Sequence, residues 1–152
     1  MKTLARDDDK VEILRRLAAL TPRSERRWGK MTVHQMVCHL ADGFRMSSGE
    51  RAVKDVAALH RRTIVKWIAL YAPMRWPPEI QTVPEIDALV SGTPPGEFGA
   101  DLADVAVRLD LFLEMARAGR CVPHPIFGRL SPAAWMRWGY LHTDHHLRQF
   151  GV

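Results

Sequence analysis

The last stretch of the chain, residues 131–152 with the sequence SPAAWMRWGYLHTDHHLRQFGV, predicts an amphipathic helix. Ser131 is a favourable N-cap residue, and Pro132 suits the first helical position, where its missing N–H is not needed. At about 100° per residue, His142 and His146 fall on one face. They are one turn, about 6 Å, apart along the axis, so both can direct a nitrogen at one divalent metal ion. Such a site needs a third ligand from elsewhere in the chain.

Two further segments predict helices with a clear apolar stripe. For residues 33–49, Thr32 is a favourable N-cap and Gly49 ends the helix. The stripe of this helix comprises Val33, Met36, Val37, Leu40 and Phe44. The other predicted helix of this pair covers residues 98–119 and is ended by Gly119. Its stripe comprises Leu102, Val105, Ala106, Leu109, Phe112, Leu113 and Ala116. Both segments should pack against the core.

Two other segments also show helical periodicity. Residues 7–20 place three aspartates at a helix start, where negative charge is favourable. The stripe of this segment comprises Val11, Leu14, Leu17 and Ala18. Residues 51–71 have a rougher stripe, which comprises Val56, Leu59, Ile64, Trp67, Ile68 and Tyr71. We expect the first segment to be a main helix and the second to be an extra helix.

Residues 72–96 hold six of the ten prolines and cannot form one regular element. We expect a short helical turn to begin at Pro84, within an otherwise irregular crossover. The chain has no alternating strand pattern and no repeat. The prediction is therefore an all-α fold, a four-helix bundle with an extra helix and a long crossover between its second and third main helices, in a single domain spanning residues 1–152.

Composition narrows the class of protein. No apolar run approaches the roughly 18 residues of a membrane helix, and the first ten residues lack the apolar core of a signal peptide. We therefore expect a cytoplasmic protein with no membrane partner, in which Cys38 and Cys121 are free thiols. The net charge is +5, and the densest group of arginines has no interleaved aromatic residues for base stacking. Nucleic-acid binding is thus disfavoured, whereas an anionic small molecule is compatible with this charge.

His39 is the candidate third ligand. It lies on the flank of the second helix's stripe, near Gly43, where the absence of a side chain leaves room for a ligand or a neighbouring chain. Helices of a bundle can bring inward side chains to a common centre, so His39, His142 and His146 form a predicted metal site with open positions. The alternative is that these histidines are hydrogen-bonded core residues. No glutamate follows His142, so the general base of HExxH metalloproteases is absent.

Three motifs carry a family resemblance. The pieces GKMTVHQMVCHL, HPIFG and YLHTDHHLRQF resemble the DinB/YfiT-like metalloenzyme superfamily, over nearly the whole chain. The resemblance implies a four-helix bundle that holds a divalent ion by one histidine of the second helix and an HxxxH pair of the last. By motif these are His39, His142 and His146. It also implies thiol-dependent chemistry, as in several relatives, and a homodimer, because bundles of this superfamily often pair.

The leading hypothesis for function is a metal-dependent enzyme in which the three-histidine site activates a low-molecular-weight thiol or a water for attack on a small electrophile. Zinc or nickel is the expected ion, with iron and manganese as alternatives. His145 is a candidate general base, and Gln149 is placed to hydrogen-bond a ligand imidazole or the substrate. The alternative is a non-catalytic, metal-stabilised bundle that acts in stress response or protein interaction.

Several other residues have simpler interpretations. His124 belongs either to a packed turn or to the mouth of the site, and Asp144 is expected to be a solvated or capping charge, or to orient a histidine through a neighbour. Cys38 projects away from His39 and is expected in the core or an interface. Trp67, Trp135 and Trp138 are expected to be core residues rather than a substrate box.

Overall fold

The structure is a computed structural model that describes residues 1–56, 61–78, 80 and 82–152. Within these ranges it contains the α-helices α1 (Asp7–Ala18), α2 (Val33–Ser48), α3 (Lys66–Tyr71), α4 (Phe98–Arg117) and α5 (Pro132–Gln149). A π-helical turn, Arg61–Val65, precedes α3, and a 3₁₀ turn, Pro84–Ile86, lies between α3 and α4. The described residues form no β-strand, which confirms the predicted all-α class.

The helices that carry the histidines begin at the predicted caps. The Thr32 hydroxyl accepts a hydrogen bond from the Gln35 N–H, and the Gln35 side chain accepts one from the Thr32 N–H, so two free helix donors are satisfied at the start of α2. Gly49 ends α2 with a φ of 80°, which a residue with a side chain rarely adopts. At the start of α5, the Ser131 hydroxyl accepts a hydrogen bond from the Ala134 N–H.

The four long helices share one apolar core. α2 packs along α4, and α5 contacts α1, α2 and α4. The predicted stripes of α2 and α4 face this core: every member is buried except Leu102 and Ala106, which are half-buried. Phe44 and Phe112 pack with ring centroids 5.2 Å apart, and Phe112 also contacts Trp135. The parts of α2 and α5 that carry the histidines are therefore held against a well-packed interior.

The predicted stripe of α1 is wrong in part. Val11 and Ala18 are exposed, whereas Ile13 and Leu17 are buried. The core face is rotated because it also includes Arg16, whose guanidinium donates hydrogen bonds to the Asp144 carboxylate at 2.8 Å and to the Val152 carbonyl at 3.0 Å. A buried arginine that is paired in this way cannot be recognised from an apolar periodicity.

The predicted helix over residues 51–71 is also wrong in part. Residues 52–56 are irregular, and two of their N–H groups bond outside any helix: the Val56 N–H donates to the Pro125 carbonyl, and the Lys54 N–H donates to the Glu85 carboxylate. Residues 57–60, with the predicted stripe member Leu59, lie outside the described residues. Among the described residues of this segment, the helical part is the π-helical turn Arg61–Val65 followed by α3, in which Leu70 is buried.

One of the three tryptophans predicted in the core is exposed. Trp135 and Trp138 are buried as expected, but 63% of the Trp67 surface is accessible. The reason is that α3 spans six residues and packs its Leu70 face inward, so Trp67 projects outward. The apolar side chains of Ile64, Ile68 and Tyr71 are exposed with it.

In its described residues, the proline-rich crossover is irregular apart from the predicted turn at Pro84. Asp42 of α2 is fully buried and anchors this segment, because its carboxylate accepts hydrogen bonds from the backbone N–H and the hydroxyl of Thr93, both at 2.7 Å. Arg51 also bonds this carboxylate. The crossover is thus held against α2, with the Pro84–Ile86 turn directed at the histidines.

Of the helices in the described residues, none combines the length and the apolar character needed to span a bilayer.

Candidate metal centre

Three buried histidines meet where α2 and α5 cross. His39 comes from α2, and His142 and His146 are one turn apart on α5. One ring nitrogen from each lies within 4.8 Å of the other two, and each side chain is less than a tenth exposed. The structure thus brings together the three residues that the sequence singled out, as a group able to hold a metal ion.

The crossover fixes the orientation of His39. Its Nδ1 lies 2.7 Å from the carbonyl oxygen of Ile86 and donates a hydrogen bond to it. This bond places the hydrogen on Nδ1, so Nε2 carries the free lone pair. Nε2 points into the cluster and lies 3.1 Å from Nε2 of His142. The Pro84–Ile86 turn, which the sequence did not connect with the site, therefore orients the free lone pair of His39 into the cluster.

A relay of hydrogen bonds fixes His146 in the same way. Its Nδ1 donates to the side-chain oxygen of Gln149 at 3.0 Å, and the amide nitrogen of Gln149 donates to the Trp28 carbonyl at 2.9 Å. Gly29 permits this approach, because a Cβ there would lie 2.6 Å from the amide nitrogen of Gln149, and its φ is +76°. Both ends of Gln149 are used inside the protein, so this residue positions His146.

His142 is positioned by packing. Its ring stacks on Trp138, with centroids 4.8 Å apart and planes 11° from parallel. On its other side, a Cβ added to Gly43 would lie 3.0 Å from its Cε1 atom. The expectation that Gly43 leaves room near the site is confirmed, and the group that uses the room is His142. Its Nδ1 atom is buried and has no hydrogen-bond partner.

Electrostatics keeps the three rings neutral. Burial lowers the pKa of His39, and the hydrogen bond to Ile86 opposes this only in part. Burial, and then the proximity of the neighbouring imidazoles, lowers the pKa of His142 and His146 well below the ordinary value. Neutral imidazole is the form that binds metals. At neutral pH the cluster therefore presents nitrogen lone pairs rather than positive charge.

The cluster fits a divalent ion on geometric grounds. Two nitrogens about 2.1 Å from one ion at a tetrahedral angle are about 3.4 Å apart, and the observed separation of His39 Nε2 and His142 Nε2 is 3.1 Å. Two of the three rings also donate their outer N–H to a carbonyl group, the usual arrangement of metal-binding histidines. The spacing of this pair and the partners of the outer nitrogens are thus those expected of metal-binding histidines.

His145 lies beside the cluster and outside it. Its ring is buried among Trp28, Trp76 and His146, with centroid distances of 5.9, 6.1 and 5.1 Å. Its Nδ1 has no hydrogen-bond partner. Burial, and then the charge of Arg148, lowers its pKa to about 4, although a backbone hydrogen bond at Trp76 opposes the shift. His145 is therefore a neutral acceptor one position away from a ligand.

Two of the remaining candidates have structural roles. His124 is buried, and its Nδ1 accepts hydrogen bonds from the N–H groups of Ile126 and Phe127, so the packed-turn interpretation describes it. Asp144 is not merely solvated, because it forms ion pairs with Arg16 at 2.8 Å and with Arg148 at 2.9 Å. Asp144 therefore links α1 to α5 instead of orienting a histidine.

Cys38 is buried and does not belong to the three-histidine group, as expected from its direction on α2. Its Sγ instead lies 3.6 Å from the Asp101 carboxylate of α4.

Comparison with known proteins gives a family and no closer relative. No curated protein and no solved structure matches the chain. The model of a family described as protein of unknown function (DUF1569) matches residues 3–151, a span that includes all three histidines and the crossover. The chain therefore belongs to the DUF1569 family.

Proposed function

We propose that this DUF1569 protein is a divalent-metal-dependent enzyme with a DinB/YfiT-like bundle, in which His39, His142 and His146 bind the ion. The observation that carries the proposal is that the outer nitrogens of two rings donate to Ile86 and Gln149, which leaves the inner lone pairs for an ion. Zinc and nickel are the ions we favour, with iron and manganese as further candidates.

The proposed reaction is attack on a small electrophile by a thiol or a water, of the transferase or hydrolase kind. Three imidazoles leave room for an exchangeable ligand, unlike a structural site with four protein ligands. A divalent ion in such a site supplies Lewis acidity, which lowers the pKa of a water or a thiol and so provides a nucleophile at neutral pH. A low-molecular-weight thiol is the co-substrate that the DinB/YfiT-like resemblance favours.

His145 is the side chain that we assign to contact with the reacting molecules. Its lowered pKa keeps it neutral at pH 7, and its Nδ1 is buried without a hydrogen-bond partner in the protein. We therefore expect it to accept a hydrogen bond from the nucleophile or the substrate. For Gln149, the sequence leaves open a hydrogen bond to a ligand imidazole or to the substrate. Its contacts support the first, positioning role, because its amide is engaged by His146 and the Trp28 carbonyl.

The experiment that tests the proposal is elemental analysis of protein purified without a histidine tag. The wild type is compared with the double variant His142→Ala, His146→Ala. We expect about one equivalent of metal at the three-histidine site, and its loss from the double variant. Equal metal contents after incubation with zinc or nickel would refute the site and leave the histidines as core residues. Metal loss in the variant would justify a screen of thiols against small electrophiles.

The burial of all three imidazoles favours a second candidate function, a non-catalytic bundle stabilised by its metal. The two candidates differ in what the ion does for folding. His39→Ala distinguishes them, because a structural ion contributes directly to folding free energy. If His39→Ala loses metal with little change in melting temperature, the enzyme is supported. If the melting temperature falls strongly, both in His39→Ala and in metal-free wild type, and added metal restores it only in the wild type, the structural role is supported.

A further inference from the structure

A second group of potential ligands lies on the other side of α2. His34 and Cys38 are one turn apart near the start of this helix, and Asp101 faces them from the first turn of α4. One ligand atom from each lies within 4.8 Å of the other two. The group shares no residue with the three-histidine centre, although Cys38 adjoins His39 in the chain.

One oxygen of Asp101 is the centre of this group. Its Oδ2 lies 2.7 Å from Nε2 of His34, 3.6 Å from Sγ of Cys38 and 2.8 Å from the backbone nitrogen of Gly96. Burial raises the pKa of the Asp101 carboxyl, but these three hydrogen bonds outweigh burial and lower it. The carboxylate is therefore ionised at neutral pH and faces a thiol and an imidazole.

The thiol of Cys38 is buried beside a carboxylate. Its Sγ lies 3.6 Å from Oδ2 of Asp101. A divalent cation among the three side chains supplies the positive charge that a thiolate and a carboxylate need when they lie this close together.

The three side chains also provide access and the donor types that zinc prefers. His34 and Asp101 are 22% and 28% exposed at their side chains, so an ion can enter from solvent, whereas Cys38 is buried behind them. Thiolate, imidazole and carboxylate are the ligands of zinc sites, and three protein ligands leave a position for water.

From this geometry we infer that His34, Cys38 and Asp101 form a second zinc site, separate from the three-histidine centre. Binding replaces the hydrogen of the Cys38 thiol, which leaves as one proton. The His34 hydrogen that now faces Asp101 moves to Nδ1, so that Nε2 presents its lone pair. The inference does not depend on the proposed enzyme activity.

Cobalt substitution tests this site, because it contains a thiol and the three-histidine group does not. Full-length His142→Ala, His146→Ala protein, freed of metal, is titrated with Co²⁺. We expect thiolate-to-cobalt charge-transfer absorption in the near ultraviolet that saturates at one equivalent. The band should vanish in the same protein with Cys38→Ser and persist with Cys121→Ser, the matched control at the other cysteine. His34→Ala should weaken Co²⁺ binding at least tenfold.

A missing charge-transfer band, or one that survives Cys38→Ser, overturns the inference. His34 and Cys38 are then only hydrogen-bond partners of Asp101. If the double histidine variant fails to fold, the same comparison in the otherwise wild-type chain is equally informative, since the three-histidine centre has no sulfur ligand. A band in protein whose three-histidine centre binds no metal supports the second site while refuting the proposed function, so the two failures are distinguishable.

Discussion

The Nε2 atoms of His39 and His142 lie 3.1 Å apart, although 103 residues separate the two histidines in the sequence. Both atoms point inward, and the outer nitrogens of the two rings are treated differently. His39 donates to the Ile86 carbonyl, whereas Nδ1 of His142 has no partner. The outer side of the His142 ring is therefore positioned by packing on Trp138 and by the space at Gly43, and its hydrogen bond is the inner one to His39. The orientation of His39 should therefore be sensitive to loss of its hydrogen-bond acceptor, and that of His142 to changes in packing.

Removal of the Gln149 amide should weaken metal binding without unfolding the protein. Gln149→Leu loses the acceptor for His146 Nδ1, and loss of such a partner typically costs 10–100-fold in metal affinity. Competition with a chromophoric chelator measures this. Thr143→Val is the matched control, because it removes a buried hydrogen bond to Gly139 within the same helix. Equal affinities in the two variants would mean that the relay does not orient His146.

Alanine at Gly29 should lower both the stability of the protein and its affinity for metal. Gly29 and Gly119 have φ values of +76° and +66°, so alanine at either position should cost about 1–2 kcal/mol of unfolding free energy. Only Gly29→Ala places a Cβ 2.6 Å from the Gln149 amide, whereas Gly119 has nothing within 4 Å. Urea unfolding should show similar losses, but metal affinity should fall for Gly29→Ala alone. A parallel fall for Gly119→Ala would contradict this explanation.

The metal-free protein should lose stability on acidification, in part through His124. Burial lowers the pKa of this histidine from 6.5 to about 3, so the unfolded chain binds a proton that the folded chain does not. Its contribution is complete above pH 6.5 and decreases by about 1.4 kcal/mol per pH unit as the pH falls below that value.

Urea unfolding between pH 7 and pH 5 checks this slope. His124→Asn retains a side-chain oxygen that can accept from the nearby backbone N–H groups but cannot titrate in this range. The variant is expected to be less stable at pH 7 and to show a shallower decline toward pH 5. Parallel curves would show that His124 does not contribute to the pH dependence.

The two tryptophans at opposite extremes of exposure should differ in their importance for folding. Trp135→Ala removes a ring that is 2% exposed and should cost about 3–5 kcal/mol. Trp67→Ala changes a residue that is 63% exposed and should alter stability by about 0.5 kcal/mol or less. Thermal or urea unfolding of both variants checks the contrast. A large loss for Trp67→Ala would mean that the α3 face is covered in solution.

Much of the site could be predicted because its ligands obey helical geometry. His142 and His146 differ by four residues, and His39 lies beside a stripe that is buried as expected, so periodicity alone indicated which rings face inward. The caps at Thr32 and Ser131 were also recognisable, since each needs only one side chain and the backbone that follows it.

The neighbours of the ligands could not be predicted in this way. Ile86 contributes a backbone carbonyl and Trp28 contributes another, and any residue type supplies such a group. Their positions depend on irregular segments, which have no periodicity to interpret. The stripe of α1 could not be predicted for a related reason: the burial of Arg16 depends on Asp144 and Val152, which are distant in sequence.

The hydrogen bond between Ile86 and His39 couples the crossover to one ligand, and this has a kinetic consequence. Local opening of a loop requires less free energy than unfolding of a helical core. When the Pro84–Ile86 turn moves away, His39 loses the group that fixes its ring, while His142 and His146 remain on α5. The rate at which metal exchanges with solution should therefore follow the opening rate of the crossover, and the protein should release its ion while its four long helices stay folded.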